Sequence, residues 1–315
     1  MKKIVSFLLI SVMTALLCGC SAVKKTDTDR VRIITTMFAA YDFAREAAGE
    51  KADIKMLLKP GAEAHSYEPT PKDVMEIEEC DIFICVGGEN DAWVEKILSS
   101  AKNPDMIVIR MLDMVEKYEE EIVEGMEAED EHEDGHDDHK DWDEHVWTNP
   151  GNAAIITKGI CDALIKTDAK NTAAYEDNYA SYEKKLKELD ESFKNLIENA
   201  ERKELIFGDR YPLRYFSEAY GLKYYAAFPG CASETEPSSK TIAFLINKVK
   251  EDKIPVVFTI ELSNKKIAEA IAKDTGAKVL TFYSCHNVSR DDFDNGESYL
   301  SLMKKNLETL KEALN

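Results

Sequence analysis

NTAAYEDNYASYEKKLKELDESFKNLIENAER, residues 171–202, is the stretch that decides the fold. Its apolar side chains recur in steps of three and four, at Tyr175, Tyr179, Tyr182, Leu186, Leu189, Phe193, Leu196 and Ala200. This spacing places them on one stripe of a helix, with lysine and glutamate elsewhere. At a rise of about 1.5 Å per residue such a helix would span about 48 Å, so we predict that it runs along two lobes. A coiled-coil partner is the alternative, which the small number of heptads argues against.

On either side of this helix, short strand-like runs alternate with amphipathic helical stretches. Before it, strands are predicted at 31–36, 54–58, 82–86 and 106–109, with helices at 39–48, 71–79 and 91–101. After it, strands are predicted at 205–207, 223–227, 256–260 and 278–282, with helices at 212–220, 237–251, 265–275 and 299–314. Alternation of this kind predicts parallel sheets with helices on both faces.

The predicted fold is therefore α/β, with two lobes that are each a mainly parallel sheet flanked by helices. One long rigid linker helix joins them, and a cleft between the lobes would hold a ligand. The predicted domains are an N-terminal lobe at 30–168, the linker at 169–203 and a C-terminal lobe at 204–315.

The formal net charge of −20 is concentrated in one segment of the N-terminal lobe, which we predict as a loop at 116–144. Residues 116–145 hold sixteen acidic residues and two lysines, a net charge of −14, so the rest of the chain carries −6. This balance argues against nucleic acid as a partner. The acidic composition predicts a solvated, disordered loop, and its histidines are typical of metal-binding tracts.

The N-terminus has the pattern of an export signal. Two lysines precede an apolar run at 4–17 that is too short for a membrane-spanning helix. The run ends in LCGC at 17–20, which resembles the bacterial lipobox. We predict a signal peptide at 1–19, a lipid on Cys20 and a tether at 20–29, which would hold the protein at the outer face of the cytoplasmic membrane. An ordinary signal peptide is the alternative.

The seven cysteines include no CxxC pair, which argues against a structural zinc ribbon or a redox motif. In an exported protein, disulfides can form between the cysteines that remain after processing. Cys231 and Cys285 both follow predicted strands of the same half, so we expect that these two are paired.

Four polar side chains stand where loops follow strands or precede a helix. His65 follows the second predicted strand, Asp209 the fifth and His286 the last, while His145 lies just before a helix. In open α/β sheets, ligands bind beyond the carboxyl ends of strands, so these residues predict a site in the cleft. Imidazoles with one carboxylate suit zinc, and nickel, copper or iron are also chemically admissible.

Several segments are informative as whole motifs and not only through the spacing of single residues. They are HSYEPTP at 65–71, EHVW at 144–147, YFSEAYGL at 215–222, EPS at 236–238 and GAKVL at 276–280. Together they resemble the metal-receptor lipoproteins of ABC importers, of the zinc-uptake type, over nearly the whole mature chain. The resemblance implies two α/β lobes joined by a long rigid helix, with the metal held between them. It also implies Zn²⁺ as the cargo, and a membrane permease with its ATPase as the partner.

By this likeness, His65 and His145 match the first two metal ligands of the family. Zinc-type members also carry an insertion rich in histidine and acid directly before the second ligand. The segment with His132, His136 and His139 matches that insertion. Its implied role is weak capture of cations near the cleft.

The second pair of ligands departs from the family pattern. The family places His or Glu a few residues before the Tyr-Phe pair, where this chain has Arg210, so Asp209 is the substitute that we predict. The family's last ligand is an acid after the final strand, where this chain has Tyr283. We predict His286 there instead, with Glu261 in reserve.

An enzymatic role is disfavoured. HEDGH at 132–136 fits the HExxH signature of zinc proteases, which requires a stable helix, but Gly135 and crowded acids argue against one. Neither GxSxG nor a phosphate loop occurs.

The alternative functions are a zinc-dependent hydrolase, an adhesin, and a manganese or iron receptor of the same fold. Manganese prefers oxygen-rich sites, and the histidines argue against such a site. We expect a monomer.

Overall fold

The structure is a computed structural model that describes residues 30–63, 67–101, 103–126, 141–232 and 236–315. In the first half, the described elements are β1 (Val31–Thr35), α1 (Phe38–Ala48), β2 (Ala52–Met56), α2 (Pro71–Glu79), β3 (Ile82–Cys85), α3 (Ala92–Leu98), β4 (Ile107–Arg110) and α4 (Pro150–Thr167). They are followed by α5 (Thr172–Glu198), β5 (Glu204–Tyr211), α6 (Arg214–Tyr220), β6 (Lys223–Pro229), α7 (Ser239–Glu251), β7 (Val256–Ile260), α8 (Lys266–Thr275), β8 (Lys278–Phe282), α9 (Arg290–Asp294) and α10 (Tyr299–Leu314).

Each lobe is built around one four-stranded sheet. The strand order is β2-β1-β3-β4 in the first lobe and β6-β5-β7-β8 in the second, and every pairing is parallel. In both sheets the order reverses beside the first strand, and folds of this kind bind ligands beyond the carboxyl ends of the strands at that point. The predicted α/β fold of two parallel sheets flanked by helices is confirmed.

Local sequence explains why these elements begin where they do. The first residue of α2 is Pro71, whose missing N–H costs nothing at that position. Thr70 and Asp73 cap the same helix reciprocally, because each side chain accepts the other residue's main-chain N–H. All four residues of β3 are buried and three of them are isoleucine or phenylalanine, as expected of a strand covered on both faces.

Helix α5 joins the two lobes and packs against both. Its buried residues are Tyr175, Tyr182, Leu186, Leu189, Phe193 and Ile197. The ring of Tyr182 lies 6.4 Å from Phe43 of the first lobe, and that of Phe193 lies 5.0 Å from Phe216 of the second. With 27 residues the helix is about 40 Å long, shorter than the predicted 171–202 because the chain leaves the helix after Glu198.

The two lobes share one hydrophobic core. A single cluster of buried apolar side chains includes Phe43 of the first lobe and Phe282 of the second, and the described residues from Val31 onward form one compact unit. Trp147 is buried in this cluster; its indole N–H donates to Ser284 O at 2.8 Å, and its carbonyl accepts from the Tyr299 hydroxyl at 2.8 Å. Within the described ranges, no helix is long and apolar enough to cross a membrane.

The two ends of the acidic segment form a short paired structure, which we call the stem (residues 118–121 and 141–143). The N–H of Asp143 donates to Tyr118 O at 2.9 Å. Glu119 and Trp142 form an antiparallel β-bridge. The Tyr215 hydroxyl of the second lobe accepts from Tyr118 N at 3.2 Å and donates to Asp143 O at 3.0 Å. The prediction of a disordered loop is therefore wrong for these ends; the central histidines lie outside the described residues.

The predicted disulfide is also wrong, because Cys231 and Cys285 are both free thiols. Cys285 is fully buried in the shared core. Cys231 lies instead against the stem, where its N–H donates to the Glu120 carboxylate at 2.8 Å.

Candidate metal centre

A small cavity lies between the lobes, beyond the carboxyl ends of the second sheet. Its lining includes two residues of the segment after β2, one residue before α4 and nine residues of the second lobe: Ala62, Glu63, His145, Arg210, Pro212, Gly230, Ile260, Glu261, Leu262, Ser284, His286 and Asn287. Two of the four predicted ligands, His145 and His286, and the reserve ligand Glu261 therefore line the same cavity.

His145 is completely buried and its orientation is set by Asp143. The Asp143 carboxylate accepts the His145 main-chain N–H at 2.8 Å and lies 3.2 Å from the ring Nδ1. A hydrogen bond at Nδ1 directs the other ring nitrogen to a metal or solvent. Burial lowers the pKa of His145, while the carboxylates of Asp143, Glu144 and Glu120 raise it, and the net direction is upward.

His286 is positioned by Glu261, which directly follows β7. The Glu261 carboxylate accepts from Ser284 N and Oγ, both at 2.6 Å, and from His286 N at 3.2 Å. Cys285 between them has φ +60°, and this left-handed conformation lets the two flanking N–H groups converge on one anion. Burial raises the pKa of Glu261, and these hydrogen bonds oppose that shift. Glu261 thus fixes the loop that carries His286.

The imidazoles of His145 and His286 lie close together. Their ring centroids are 5.5 Å apart and the rings are inclined at 80°. Both rings pack against Trp147, at 5.4 and 5.0 Å. Two imidazoles bound to one tetrahedral zinc, with Zn–N near 2.0–2.1 Å, would have centroids about 5 Å apart. The observed separation is close to that value.

Asp209 is placed differently from the sequence-based expectation. It lies inside β5, at a register shift between Phe207 and Arg210, and not after the strand. Its carboxylate accepts from Arg210 N at 2.9 Å and Ile260 N at 3.3 Å, and it faces a neighbouring cavity that also contains Ser263. Burial raises its pKa, and hydrogen bonds from Ser263, Arg210 and Ile260 oppose that shift. The structure does not bring Asp209 together with the two imidazoles.

His65, Cys20, His132, His136 and His139 lie outside the described residues. Among the residues that are described, no group of three or more His, Cys, Asp or Glu has the geometry of a metal site. The described part of the candidate centre is therefore a pair of imidazoles.

Sequence reasoning missed the roles of the two carboxylates that hold these histidines in place: it did not single out Asp143, and it named Glu261 only as a reserve ligand. Asp143 stands two residues before His145, a spacing that would have been a usable signal, but it is one acid among many in its segment. The role of Glu261 depends on a loop more than twenty residues further on, and no local pattern marks such a contact.

Comparison with known proteins gives this site its context. The family model described as "Zinc-uptake complex component A periplasmic" matches residues 33–313. The zinc-binding lipoprotein AdcA of Streptococcus pneumoniae is 31% identical over 314 residues, which are 99% of this chain but only 61% of that protein. The high-affinity zinc uptake system protein ZnuA of Bacillus subtilis is 30% identical over 304 residues, which are 94% of this chain and 92% of that protein.

Solved structures show the same fold. The Zn(II)-bound ZnuA-like domain of S. pneumoniae AdcA superposes with a TM-score of 0.74 at 27% identity, over 90% of this chain and 99% of that domain. The metal-dependent lipoprotein YcdH of B. subtilis gives a TM-score of 0.76 at 27% identity, over 91% of this chain and all of that one. Because the family model spans nearly all of the described residues, the chain belongs to the ZnuA family of periplasmic zinc-uptake components.

Proposed function

We propose that this protein is an extracytoplasmic receptor that captures Zn²⁺ in the cavity between its lobes and delivers it to the permease of an ABC importer. The observation that carries the proposal is the pair of imidazoles, His145 and His286, at a separation suited to one tetrahedral zinc. Similarity to a Zn(II)-bound ZnuA-like domain supports zinc as the cargo.

The proposed ligands are His65, His145 and His286. The segment that leads to His65 already lines the cavity at Glu63, which supports the third imidazole. Of the two carboxylates considered for the fourth position, Glu261 lines the same cavity whereas Asp209 faces the neighbouring one. We therefore expect that loss of Glu261 affects zinc more than loss of Asp209.

The location and partners are part of the same proposal. A lipid on Cys20, following removal of a signal peptide at 1–19, would hold the receptor at the outer face of the cytoplasmic membrane. The relative AdcA of S. pneumoniae is named a zinc-binding lipoprotein, which supports this anchor. The receptor would act as a monomer, with the His132, His136 and His139 segment as an auxiliary capture loop. The description of the family as an uptake component supports a carrier role.

Titration of the metal-free protein with Zn²⁺ against a competing chelator tests the site. We expect one tight site in the wild type, which is lost in His145→Asn and in His286→Gln. The zinc affinity of Glu261→Gln should be lower than that of Asp209→Asn. The matched control is the triple variant His132→Gln, His136→Gln, His139→Gln, which we expect to retain the tight site. Thermal unfolding of each variant verifies that it is folded.

Two outcomes would refute the proposal. One is unchanged tight binding in a folded His145→Asn, His286→Gln double variant. The other is a tight site that Mn²⁺ fills in preference to Zn²⁺ when both are offered to the wild type, because imidazole ligands favour zinc.

A further inference from the structure

Arg210 reaches across the cavity from the second lobe to the first. Its guanidinium Nη1 donates to Ala232 O of its own lobe at 3.2 Å, and Nη2 lies 3.2 Å from both carboxylate oxygens of Glu63. The Arg210 side chain is only 11% exposed. It lies next to the register shift of β5, and irregularities of this kind redirect side chains at strand ends.

Glu63 ends a segment of the first lobe, residues 59–63, that the second lobe holds at several points. The Asn287 amide donates to the carbonyls of Lys59 at 2.9 Å and Ala62 at 2.8 Å. Gly61 N donates to Val288 O at 2.8 Å. The pair between Arg210 and Glu63 is ionic, whereas the bonds from Asn287 and Gly61 are neutral.

These attachments differ in how easily they open. Asn287 is buried, at 3% exposure, so its neutral hydrogen bonds are shielded from solvent. The Glu63 side chain is 50% exposed, so water and salt reach the ion pair and weaken it. The pair is therefore the attachment that can break while the remainder of the segment stays in place.

An arginine cannot itself bind the metal, because its guanidinium has donors and no acceptor. It can act on a cation in this cavity only through its charge and through the group that it holds. While Glu63 is paired, the carboxylate offsets the arginine charge. When the pair opens, the segment that carries Glu63 loses its ionic attachment to the second lobe.

We propose that Arg210 is a positioning residue that latches residues 59–63 across the cavity and slows the escape of bound zinc. This rests on the proposed function and adds to it a control of release. The guanidinium bonds Ala232 O through Nη1 and Glu63 through Nη2 at the same time. The single ammonium of lysine lacks this forked geometry, so Arg210→Lys does not restore the latch.

Zinc release into excess chelator, followed by stopped flow on the full chain, tests the latch. We expect Glu63→Gln and Arg210→Gln each to release zinc about three- to tenfold faster, with one equivalent of zinc still bound. The double variant releases zinc no faster than the faster single variant, because both changes remove one interaction. Raising the salt concentration accelerates release from the wild type more than from Glu63→Gln.

The matched control is Glu95→Gln, which removes an arginine–carboxylate pair with Arg110 within the first lobe and leaves the release rate unchanged. Because Glu63 is half exposed, Glu63→Gln folds even if Arg210→Gln does not, and it carries the test alone in that case. Wild-type rates in Glu63→Gln, or rate effects that multiply in the double variant, would overturn the latch while the zinc site stands. A wild type that takes up no zinc would overturn the proposed function itself.

Discussion

At the scale of single residues, this centre depends on carboxylates that hold imidazoles in place. Asp143 contacts both the main chain and the ring of His145, and Glu261 holds the loop of His286. That His145 and His286 lie together was predictable, because histidines are scarce and both stand at the ends of predicted elements. Their supporting carboxylates were not, because an acid is recognised as a support only once its partner is known.

Asp143→Asn keeps the shape of this side chain but removes the charge that fixes the His145 tautomer. We expect zinc affinity to fall by about ten- to a hundredfold, as measured by chelator competition. Asp141→Asn is the control, because Asp141 is exposed and contributes its main-chain carbonyl to the stem. Equal affinities in the two variants would show that Asp143 does not orient the ligand.

At the scale of elements, periodicity predicted most strands and helices but missed part of β5. The predicted strand at 205–207 ended where polar residues begin, whereas the strand continues to Tyr211. The polar Asp209 and Arg210 remain buried in it because Asp209 bonds to the main chain and Arg210 bonds to Ala232 O and Glu63. An alternation of apolar and polar residues cannot reveal a strand whose polar groups are satisfied by distant partners.

Gly208 explains how closely α8 approaches this strand. A Cβ at Gly208 would lie 2.5 Å from Ala268 Cα, a main-chain atom that cannot rotate away. We expect Gly208→Ala to lower the free energy of unfolding by about 1–3 kcal/mol in urea denaturation. In the control Gly159→Ala, the contacted group is the flexible Met114 side chain and alanine favours the helix, so stability should be unchanged or higher. A neutral Gly208→Ala would contradict this account of the packing.

At the scale of the whole molecule, the two lobes were predictable from the two α/β series and the long helical stripe between them. Their shared core was not, because the sequence does not show which faces of α5 meet which lobe. Tyr182 packs against the first lobe and Phe193 against the second. The lobes should therefore lose structure together.

Phe193→Ala tests this cooperativity. We expect it to cost about 3–5 kcal/mol, and the unfolding of the whole chain to shift as one transition. All three tryptophans, Trp93, Trp142 and Trp147, precede α4 in the sequence. Their fluorescence should coincide with far-UV circular dichroism, which reports on both lobes, in both wild type and variant. Separate midpoints for the two signals would contradict a shared core. Lys184→Ala, at a solvent-exposed position of the same helix, should have little effect.

The stem has a consequence for exchanging parts between relatives. Its sequence precedes α4, yet Tyr215 and Tyr224 of the second lobe hold it, at Tyr118 and Glu121. A relative that received this stem and its insertion, but lacked tyrosines at the positions of Tyr215 and Tyr224, would lose these attachments. It would then present the histidine after the stem on an unsupported chain, so recipients should be chosen by their second-lobe tyrosines before the composition of the insertion.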